Sequence, residues 1–561
     1  MREAMDPVSL SVLWNRLIAS VDEAAATLVR TAFSTVVRES NDFACQVLDA
    51  AGNNLAQNSV AAPSFVGTMP RTMRHFLERF PLETWREGDV VMTNDPWMGT
   101  GHLPDFSLAM PVFRKGKLAA FAANVAHMPD IGGTIWGADA TQVFEEGLRI
   151  LPTRMVREGQ MNEHLVEMIA ANVRVPDLTL GDLNAQIAAC RMQVQRLERI
   201  MDDADLDDLN GLAEGIISRT EAAMTAALAG VPQGEYRYSL ETDGFDWPLT
   251  IALRVVVKDG RILCDYTGTS SQVPRGLNSV YNYTYAYTAY PLKCALAPEV
   301  PNNEGICRRI DVTVPEGTLL NPRYPAPVGA RNITGHFLSA LVFGALFQAV
   351  PHLVMAEPAA PANRSVFTGF WDTGEPFSLL FFTSGGLGAQ THRDGLTCAA
   401  FPSNAGFASA EISENAAPVQ VTQKSIRVNS AGAGRFRGGF GQDIGVRVLC
   451  KGPVTLSVLM DRVKHPPRGL AGGGPAAAAA IVRNGEPIPS KGRTVLQPGD
   501  TVLISCAGGG GLGDPVDRAP ALIQQDLANG LITPGWGERQ GHPQQGGRQP
   551  RVEDARRHRS P

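Results

Sequence analysis

The sequence predicts an α+β protein of several domains, in which N-terminal helices and a mixed sheet precede β-rich domains punctuated by glycine. The chain has 561 residues, which is too many for one ordinary hydrophobic core. Apolar residues recur at helical spacing near the N-terminus and again over residues 162–230. From about residue 232 onward, short apolar runs alternate with turns and glycine-rich stretches, which is typical of β structure.

Changes in this pattern divide the chain into four predicted segments. The last of them is rich in Gln, Gly, Pro and Arg, so we expect it to be disordered. The segments are an N-terminal domain with a helical part (1–230), a β-rich middle domain with a buried helix (231–356), a C-terminal β-rich domain (357–537) and a disordered tail (538–561).

The first predicted element is a helix that begins at Pro7. Asp6 is suited to cap it, because an acidic N-cap followed by proline is a favoured helix start. Apolar residues then recur at helical spacing as far as about Thr31. Residues 41–49 alternate like a strand, and Asp42 lies at the mouth of that strand.

A β-hairpin is predicted next. Two apolar runs of strand length, 106–113 and 118–126, flank a polar, glycine-containing turn at 114–117. Folding about that turn makes Asp105 and His127 cross-strand partners, with side-chain bases about 5 Å apart if they share a face. The pairing brings together strand ends, where functional side chains are commonly presented.

Two near-copies of one tetrapeptide lie at the ends of this hairpin, His102-Leu103-Pro104-Asp105 and His127-Met128-Pro129-Asp130. A single copy is more often a turn in which Asp accepts backbone hydrogen bonds and His packs against its neighbours. Two copies facing each other favour a metal site, because imidazole and carboxylate suit zinc, manganese or iron. Since no thiolate accompanies them, we expect an open, reactive site on a metal-bearing hairpin rather than a closed structural zinc site.

Further elements are expected along the chain. The glycine-rich stretches after residue 385 predict tight or bulged corners, and none of them matches a dinucleotide or P-loop pattern. The expected elements are helices over 162–230 with interruptions near Pro176 and 202–210, strands over 236–266, a buried helix over 337–350 and a short helix over 519–529.

The composition excludes several classes of protein. Hydrophobic residues make up 44% and charged residues 19%, and the net charge is -6, so neither a membrane protein nor a nucleic-acid footprint is indicated. The N-terminus carries acids and lacks an apolar segment, which argues against a secretion signal and favours a cytoplasmic protein. Eight cysteines without C-x-x-C spacing suit reduced thiols.

Several long sequence blocks resemble those of one known family and occur in the same order. They are NDPWMGTGHLPDFSLAMPVF (94–113), AHMPDIGG (126–133), FEEGLRILP (144–152), ANVRVPDLTLGDLNAQIAAC (171–190), DYTGTSSQV (265–273), PNNEGICRRIDVTVPEGTLLNP (301–322), VGAR (328–331), GRFRGGFGQ (434–442) and GGGGLGDP (508–515). Together they resemble the hydantoinase B family, the partner subunits of ATP-dependent hydantoinases and 5-oxoprolinases. The resemblance covers the chain from Asp6 to about Ile532.

The resemblance implies a second subunit and a metal ion. A hydantoinase A-type subunit with an actin-like ATPase fold would use ATP to phosphorylate the substrate oxygen, and the B-type subunit would act on the activated species at a divalent metal. The implied ligands are Asp42, His102, Asp105 and His127, and zinc or manganese is preferred over iron. Asp42 comes from the resemblance alone.

Other residues are candidates for catalysis or substrate binding. Asp130 could orient His127 or accept a proton from water, and it could equally cap the turn that follows it. His392 is a second catalytic candidate. Arg331 and Arg393 are candidates for binding an anionic intermediate, because the arginine fork suits phosphate, although a solvated surface charge is the commoner role.

These features predict an ATP-dependent amidohydrolase subunit that acts on a cyclic amide or imide within a hetero-oligomer. A subunit of an ATP-dependent ketone carboxylase of the acetone or acetophenone type is the closest alternative. A non-catalytic scaffold whose metal only stabilises the fold is the second alternative. A self-sufficient metallohydrolase is the third, and it would be active without ATP.

Overall fold

The computed structural model describes residues 5–134 and 136–536, so the predicted tail over 538–561 lies outside the described residues. The α-helices are α1 Pro7–Thr31, α2 Thr35–Arg38, α3 Met69–Arg79, α4 Glu163–Asn172, α5 Pro176–Asp203, α6 Asn210–Ala229, α7 Tyr281–Leu296, α8 Glu304–Cys307, α9 Arg331–Gly335, α10 Phe337–Leu346, α11 Ala410–Ala416 and α12 Pro520–Ala528. Short 3-10 helices occur at Pro63–Phe65, Leu82–Thr84, Val143–Glu145, Pro351–Leu353 and Pro515–Asp517.

The strands of the first half form two sheets. They are β1 Phe43–Asp49, β2 Asn54–Gln57, β3 Val90–Thr93, β4 Asp105–Arg114, β5 Lys117–His127, β6 Thr153–Arg157, β7 Gln160–Met161, β8 Gly234–Thr242, β9 Leu249–Lys258, β10 Arg261–Asp265 and β11 Ile310–Thr313. The first sheet has the order β2-β1-β5-β4-β3-β6-β7, and the second has the order β11-β10-β9-β8.

The first sheet is antiparallel throughout, whereas a mixed sheet was expected. Short turns join β1 to β2, β4 to β5 and β6 to β7, and strands connected by short turns can only pair antiparallel. A parallel pair does occur in the second sheet, between β10 and β11, where the intervening chain is long enough to cross over.

Two long helices cover the first sheet. Helix α1 occupies the predicted range, and the Asp6 carboxylate caps it by accepting from the Val8 and Ser9 amides. Helix α4 ends at Asn172 and α5 begins at Pro176, which confirms the predicted interruption near this proline. Gln186 on α5 donates to the carbonyl oxygen of Phe106 at 2.9 Å, which ties this helix to the hairpin. These contacts fix the hairpin against a rigid layer.

The middle of the chain contains more helix than expected. Helix α7 is rich in Tyr and Thr, which favour strands, yet its Tyr283 and Tyr287 side chains are fully buried. Tertiary burial therefore overrides local preference in this segment. The expected buried helix is present as α10, which is buried along its whole length and ends at Leu346.

The remaining strands form two further sheets. They are β12 Asn363–Phe370, β13 Pro376–Thr383, β14 Val419–Ile426, β15 Gln442–Val448, β16 Val454–Leu459, β17 Ala480–Arg483, β18 Glu486–Pro487, β19 Lys491–Leu496 and β20 Thr501–Ser505. Their orders are β13-β12-β16-β19 and β14-β15-β20-β17-β18.

Glycine-rich stretches after residue 385 pack backbone against backbone. A Cβ on Gly438 would lie 1.8 Å from the carbonyl oxygen of Gly509, and a Cβ on Gly509 would lie 1.9 Å from that of Leu387. Neither glycine has a positive φ. Tight or bulged corners were expected here. At these two positions glycine is required for another reason, because neighbouring segments of the same chain approach too closely for any side chain.

Buried apolar residues form one large cluster that runs from Leu10 to Met355 and includes Leu459. A second cluster lies between the two C-terminal sheets, from Phe367 to Ala507. All eight cysteines are free thiols. None of the described helices combines the length and apolar character that crossing a membrane requires.

Candidate metal centre

The hairpin of β4 and β5 has the predicted register. Asp105, the first residue of β4, pairs directly with His127, the last residue of β5. Both side chains are buried. The local apolar pattern and the turn therefore suffice to bring these two groups together, as the sequence indicated.

His102 is presented by the loop that precedes β4. The Asn94 amide stabilises this loop by donating to the carbonyl oxygens of Leu103 and Leu148, both at 2.8 Å. Gly101 has a φ of 111°, and a Cβ there would lie 2.6 Å from the Arg331 side chain. Glycine at this position lets the loop turn His102 towards Asp105.

Three potential ligands form one cluster. The ligand atoms of His102, Asp105 and His127 lie within 4.8 Å of one another, and all three residues are buried. Nε2 of His102 lies 2.9 Å from Oδ1 of Asp105, and its Nδ1 lies 3.1 Å from the carbonyl oxygen of Gly329. The Gly329 carbonyl thus orients the imidazole in the way that ligand histidines are usually oriented.

His127 is the most informative member of the cluster. Both of its ring nitrogens are buried, and neither has a hydrogen-bond partner among the described residues. Its ring packs 4.7 Å from Trp136 and 5.0 Å from His102, measured between ring centroids. Burial, helped by the nearby His102, lowers the pKa of His127 to about 4. The imidazole is therefore neutral near pH 7, which is the form that binds metals.

Asp105 is held by two donors on its second oxygen. Thr100 Oγ1 and Arg331 Nη2 each lie 2.5 Å from Oδ2. Burial alone would raise the pKa of Asp105, but His102 and Arg331 lower it below its ordinary range. Arg331 was a candidate for substrate binding; it contacts a potential ligand, and contact with substrate remains a prediction.

Asp42 lies beside the cluster but outside it. Its carbonyl oxygen accepts from the His127 amide at 3.0 Å, because β1 pairs antiparallel with β5. Burial raises the pKa of the Asp42 carboxyl and the nearby Asp105 adds to the rise, while protonated His127, Arg364 and Arg331 oppose it. The carboxylate is not among the atoms within 4.8 Å, so its role as a fourth ligand remains a prediction.

The residues present fit a divalent cation. Two imidazoles and a carboxylate converge at one point, and the two unpartnered nitrogens of His127 leave an open place for a ligand. Nitrogen and oxygen donors without thiolate suit zinc, manganese or iron. His102 is also kept neutral, because burial and Arg331 lower its pKa.

A cavity of about 40 Å³ opens beside His127, and Trp136, Asp130 and Arg174 also line it. The Asp130 carboxylate accepts from the Arg174 guanidinium at 2.7 Å and from the Gly132 amide at 3.3 Å. These contacts match the turn-capping alternative that the sequence left open. Action of Asp130 as a base remains a prediction.

Glu146 also lines this cavity, and sequence reasoning missed it. Its Oε1 accepts from the amides of Val328 and Gly329 at 2.8 and 2.7 Å, whereas its Oε2 is buried without a partner among the described residues. Burial raises the pKa of Glu146 to about 8, against the effect of those two amides. Its position in the block FEEGLRILP was the one available clue, because the peptide that holds it comes from far along the chain.

The family of this chain follows from its match to known proteins. The profile of the Hydantoinase B/oxoprolinase family matches residues 6–515. The chain belongs to this family. A putative D-/L-hydantoinase subunit of the B type, from a Pseudomonas species, is 30% identical to it over 558 residues, covering 94% of this chain and 93% of the relative.

Two solved structures resemble this hydantoinase B/oxoprolinase family member. The crystal structure of an ATP-dependent caprolactamase from Pseudomonas jessenii matches with a TM-score of 0.88 and 27% identity over 95% of each chain. A nucleotide-free acetone carboxylase also matches with a TM-score of 0.88, at 20% identity, over 95% of this chain and 79% of that one. At such an identity the second likeness shows the fold alone.

Two of the predicted site residues of this family member are exposed. His392 and Arg393 lie in a short turn, where Arg393 donates to the Gln390 side chain. Neither lines the cavity beside His127. The neighbouring Asp394 is instead paired with Arg518 at 2.7 Å. Catalysis by His392 and substrate binding by Arg393 remain predictions, and neither residue contacts His102, Asp105 or His127.

Proposed function

We propose that this chain is the B-type subunit of an ATP-dependent amidohydrolase and hydrolyses a phosphate-activated cyclic amide or imide at a divalent metal ion. His102, Asp105 and His127 would hold the ion, and Asp42 would complete the set. A hydantoinase A-type partner would use the ATP. The family match, the relative named as a hydantoinase subunit and the caprolactamase structure support this proposal.

The unpartnered imidazole of His127 carries the proposal. A buried polar group without a hydrogen bond costs about 1–3 kcal/mol, so such groups are rare in folded proteins and call for an explanation. His127 keeps two such nitrogens next to His102 and Asp105. A bound cation would satisfy one of them and offset this cost.

The chain's own residues prepare the reaction. A bound divalent ion would lower the pKa of water and orient phosphate oxygens. Arg331 and Thr100 fix one oxygen of Asp105, which leaves its other oxygen facing His102. Glu146 lines the cavity, and with a pKa of about 8 it is protonated at neutral pH, so its free oxygen can donate a hydrogen bond to a developing anion or to the leaving nitrogen.

Co-expression with an A-type partner tests the proposal. We expect a stable complex that opens hydantoin, 5-oxoproline or lactam rings only with ATP and a divalent metal. Ring opening by the isolated chain without ATP would indicate a self-sufficient hydrolase. ATP turnover that requires bicarbonate and a ketone would indicate a carboxylase, and full product formation after complete removal of the metal would indicate a scaffold.

A further inference from the structure

One buried arginine near the cluster has no carboxylate within ion-pair distance in the described part of the chain. Four of the five buried arginines in the described part of the chain have a carboxylate oxygen within 4.0 Å. Arg364, which is 5% exposed, has none among the described residues. The four paired arginines are Arg331 with Asp105, Arg437 with Asp526, Arg462 with Glu357, and Arg518 with Asp394.

Arg364 lies on strand β12, which forms one side of the cavity beside the cluster of potential ligands. It alternates along β12 with Val366 and Thr368, and both of these residues line the cavity beside His127. Its guanidinium carbon lies 5.4 Å from the centre of the Trp136 ring, and the same ring packs against His127. The strand therefore points this cation towards the region where a substrate would lie.

The contacts that Arg364 makes at hydrogen-bond distance are all with neutral groups. Nη1 lies 3.4 Å from the carbonyl oxygen of Ala362 and, with the Asn332 amide in its favoured orientation, 2.8 Å from that amide oxygen. Nε is buried without a partner in the described part of the chain. Burial raises the pKa of the nearby Asp42 and the charge of Arg364 opposes that rise, but no carboxylate of the described residues lies within 4.0 Å of the guanidinium, so its buried Nε is left to bind an oxyanion at hydrogen-bond distance.

The charges of the proposed centre favour a ligand with two negative charges. With Asp42 and Asp105 as ligands, the four positive charges of a divalent ion, Arg331 and Arg364 would face two carboxylates, so two positive charges would remain. A phosphoryl group would neutralise this excess better than a single carboxylate.

We infer that Arg364 forms an oxyanion-binding subsite beside the metal cluster and binds the phosphoryl group, or else a carboxylate, of the substrate. This inference rests on the proposed function, because it assigns the cavity to substrate. The planar guanidinium suits either oxyanion, because it can donate two parallel N–H groups to one ligand. Its Nε has no partner among the described residues and is available for such a contact.

Calorimetry on the full chain tests this inference. Inorganic phosphate is titrated into metal-loaded wild type, R364Q, R364K and the exposed control R261Q, whose arginine pairs with Asp311. We expect R364Q to weaken phosphate binding about 10-fold or more and R261Q to leave it unchanged. R364K should fall between them, because it keeps the charge and loses the fork.

Two lactams distinguish the sources of the oxyanion. 5-Oxoproline and 2-pyrrolidone differ by one carboxylate, so tighter binding of 5-oxoproline that disappears in R364Q would assign the subsite to a substrate carboxylate. Phosphate binding that depends on Arg364 would assign it to the phosphoryl group. If neither ligand responds to R364Q, or if the wild type binds neither, the inference is wrong.

Two readouts keep the test decisive. If R364Q does not unfold cooperatively, the comparison uses R364K, and undiminished affinity in that variant contradicts the inference. Calorimetry needs no turnover, so its outcome is separate from that of the proposed function. If phosphate or 5-oxoproline binding depends on Arg364 but the complex hydrolyses no lactam, the proposed function is wrong while the oxyanion subsite is supported.

Discussion

Two buried charge clusters in this molecule differ in completeness. In the C-terminal cluster, formed by Asp394, Arg437, Arg518 and Asp526, each cation contacts a carboxylate at 2.7 to 2.8 Å, and Nε of Arg518 is the one polar atom of these side chains without a partner among the described residues. At the hairpin end, the His127 ring and one oxygen of Glu146 have no hydrogen-bond partner among the described residues. A cluster whose charges are paired within the protein can be accounted for by its contribution to the stability of the fold. Unpartnered polar atoms beside a cavity can instead bind a ligand.

The largest expected effect is a loss of activity when the cluster at the hairpin is changed. H127A should lose the bound metal and lower kcat/KM of the assembled complex about 10³-fold or more, since metals supply several kcal/mol of transition-state stabilisation. Metal content and ATP-dependent ring opening measure this. H164A alters a histidine that is almost fully exposed and should change neither value. Retained activity in metal-free H127A would make the metal structural.

The converse variant breaks the C-terminal cluster. D526A removes one of the two carboxylates that Arg437 and Arg518 share and leaves Arg437 with Asp394 at 3.7 Å, so it should lower the free energy of unfolding by about 3 kcal/mol. Its metal content should equal that of the wild type. Chemical denaturation and elemental analysis check both parts, and loss of metal from D526A would show that the two clusters are not independent.

A pair of glycines tests how the loop positions His102. G101A adds a Cβ that would lie 2.6 Å from Arg331 at a φ of 111°, so both sterics and backbone oppose it. We expect it to cost about 2–3 kcal/mol of stability and to weaken metal binding. The control G116A also has a positive φ, but no atom lies within 4 Å of its Cβ. That variant should cost about 1 kcal/mol and leave metal binding unchanged.

The smallest expected effect concerns the pH dependence of stability. Burial raises the pKa of Glu146 from 4.5 to about 8, so between these values the folded state holds a proton that the unfolded state has released. Stability from this group is therefore complete below pH 4.5 and is lost as the pH rises through 8.

E146Q removes this titration. Without metal, the free energy of unfolding of E146Q relative to wild type should increase between pH 5 and pH 8 by up to about 1.4 kcal/mol per pH unit. Denaturant midpoints across this range provide the measurement. A difference that stays constant with pH would show that Glu146 is ionised throughout, and its proposed role as a proton donor would be wrong.

The part of the candidate metal centre that depends on local structure was predictable from the sequence. The pairing of Asp105 with His127 was predictable because both strands belong to one hairpin, and the turn between them fixes the register. The range of α1 was predictable for a similar reason, since capping and periodicity are local.

The remainder depends on contacts between distant parts of the chain. Glu146 is held by the amides of Val328 and Gly329, and Arg364 arrives on a strand of another sheet. No local pattern marks either position. Asp42 was predicted only from the family resemblance, because strand spacing along the chain does not reveal that β1 pairs with β5.

The most direct test of the account is a crystal structure of the chain purified with its partner, with anomalous data collected at the absorption edges of zinc, manganese and iron. The account predicts one anomalous peak among His102, Asp105 and His127, with the carboxylate of Asp42 turned towards it. A well-ordered map without a peak at these side chains, from material shown to be active, would contradict it.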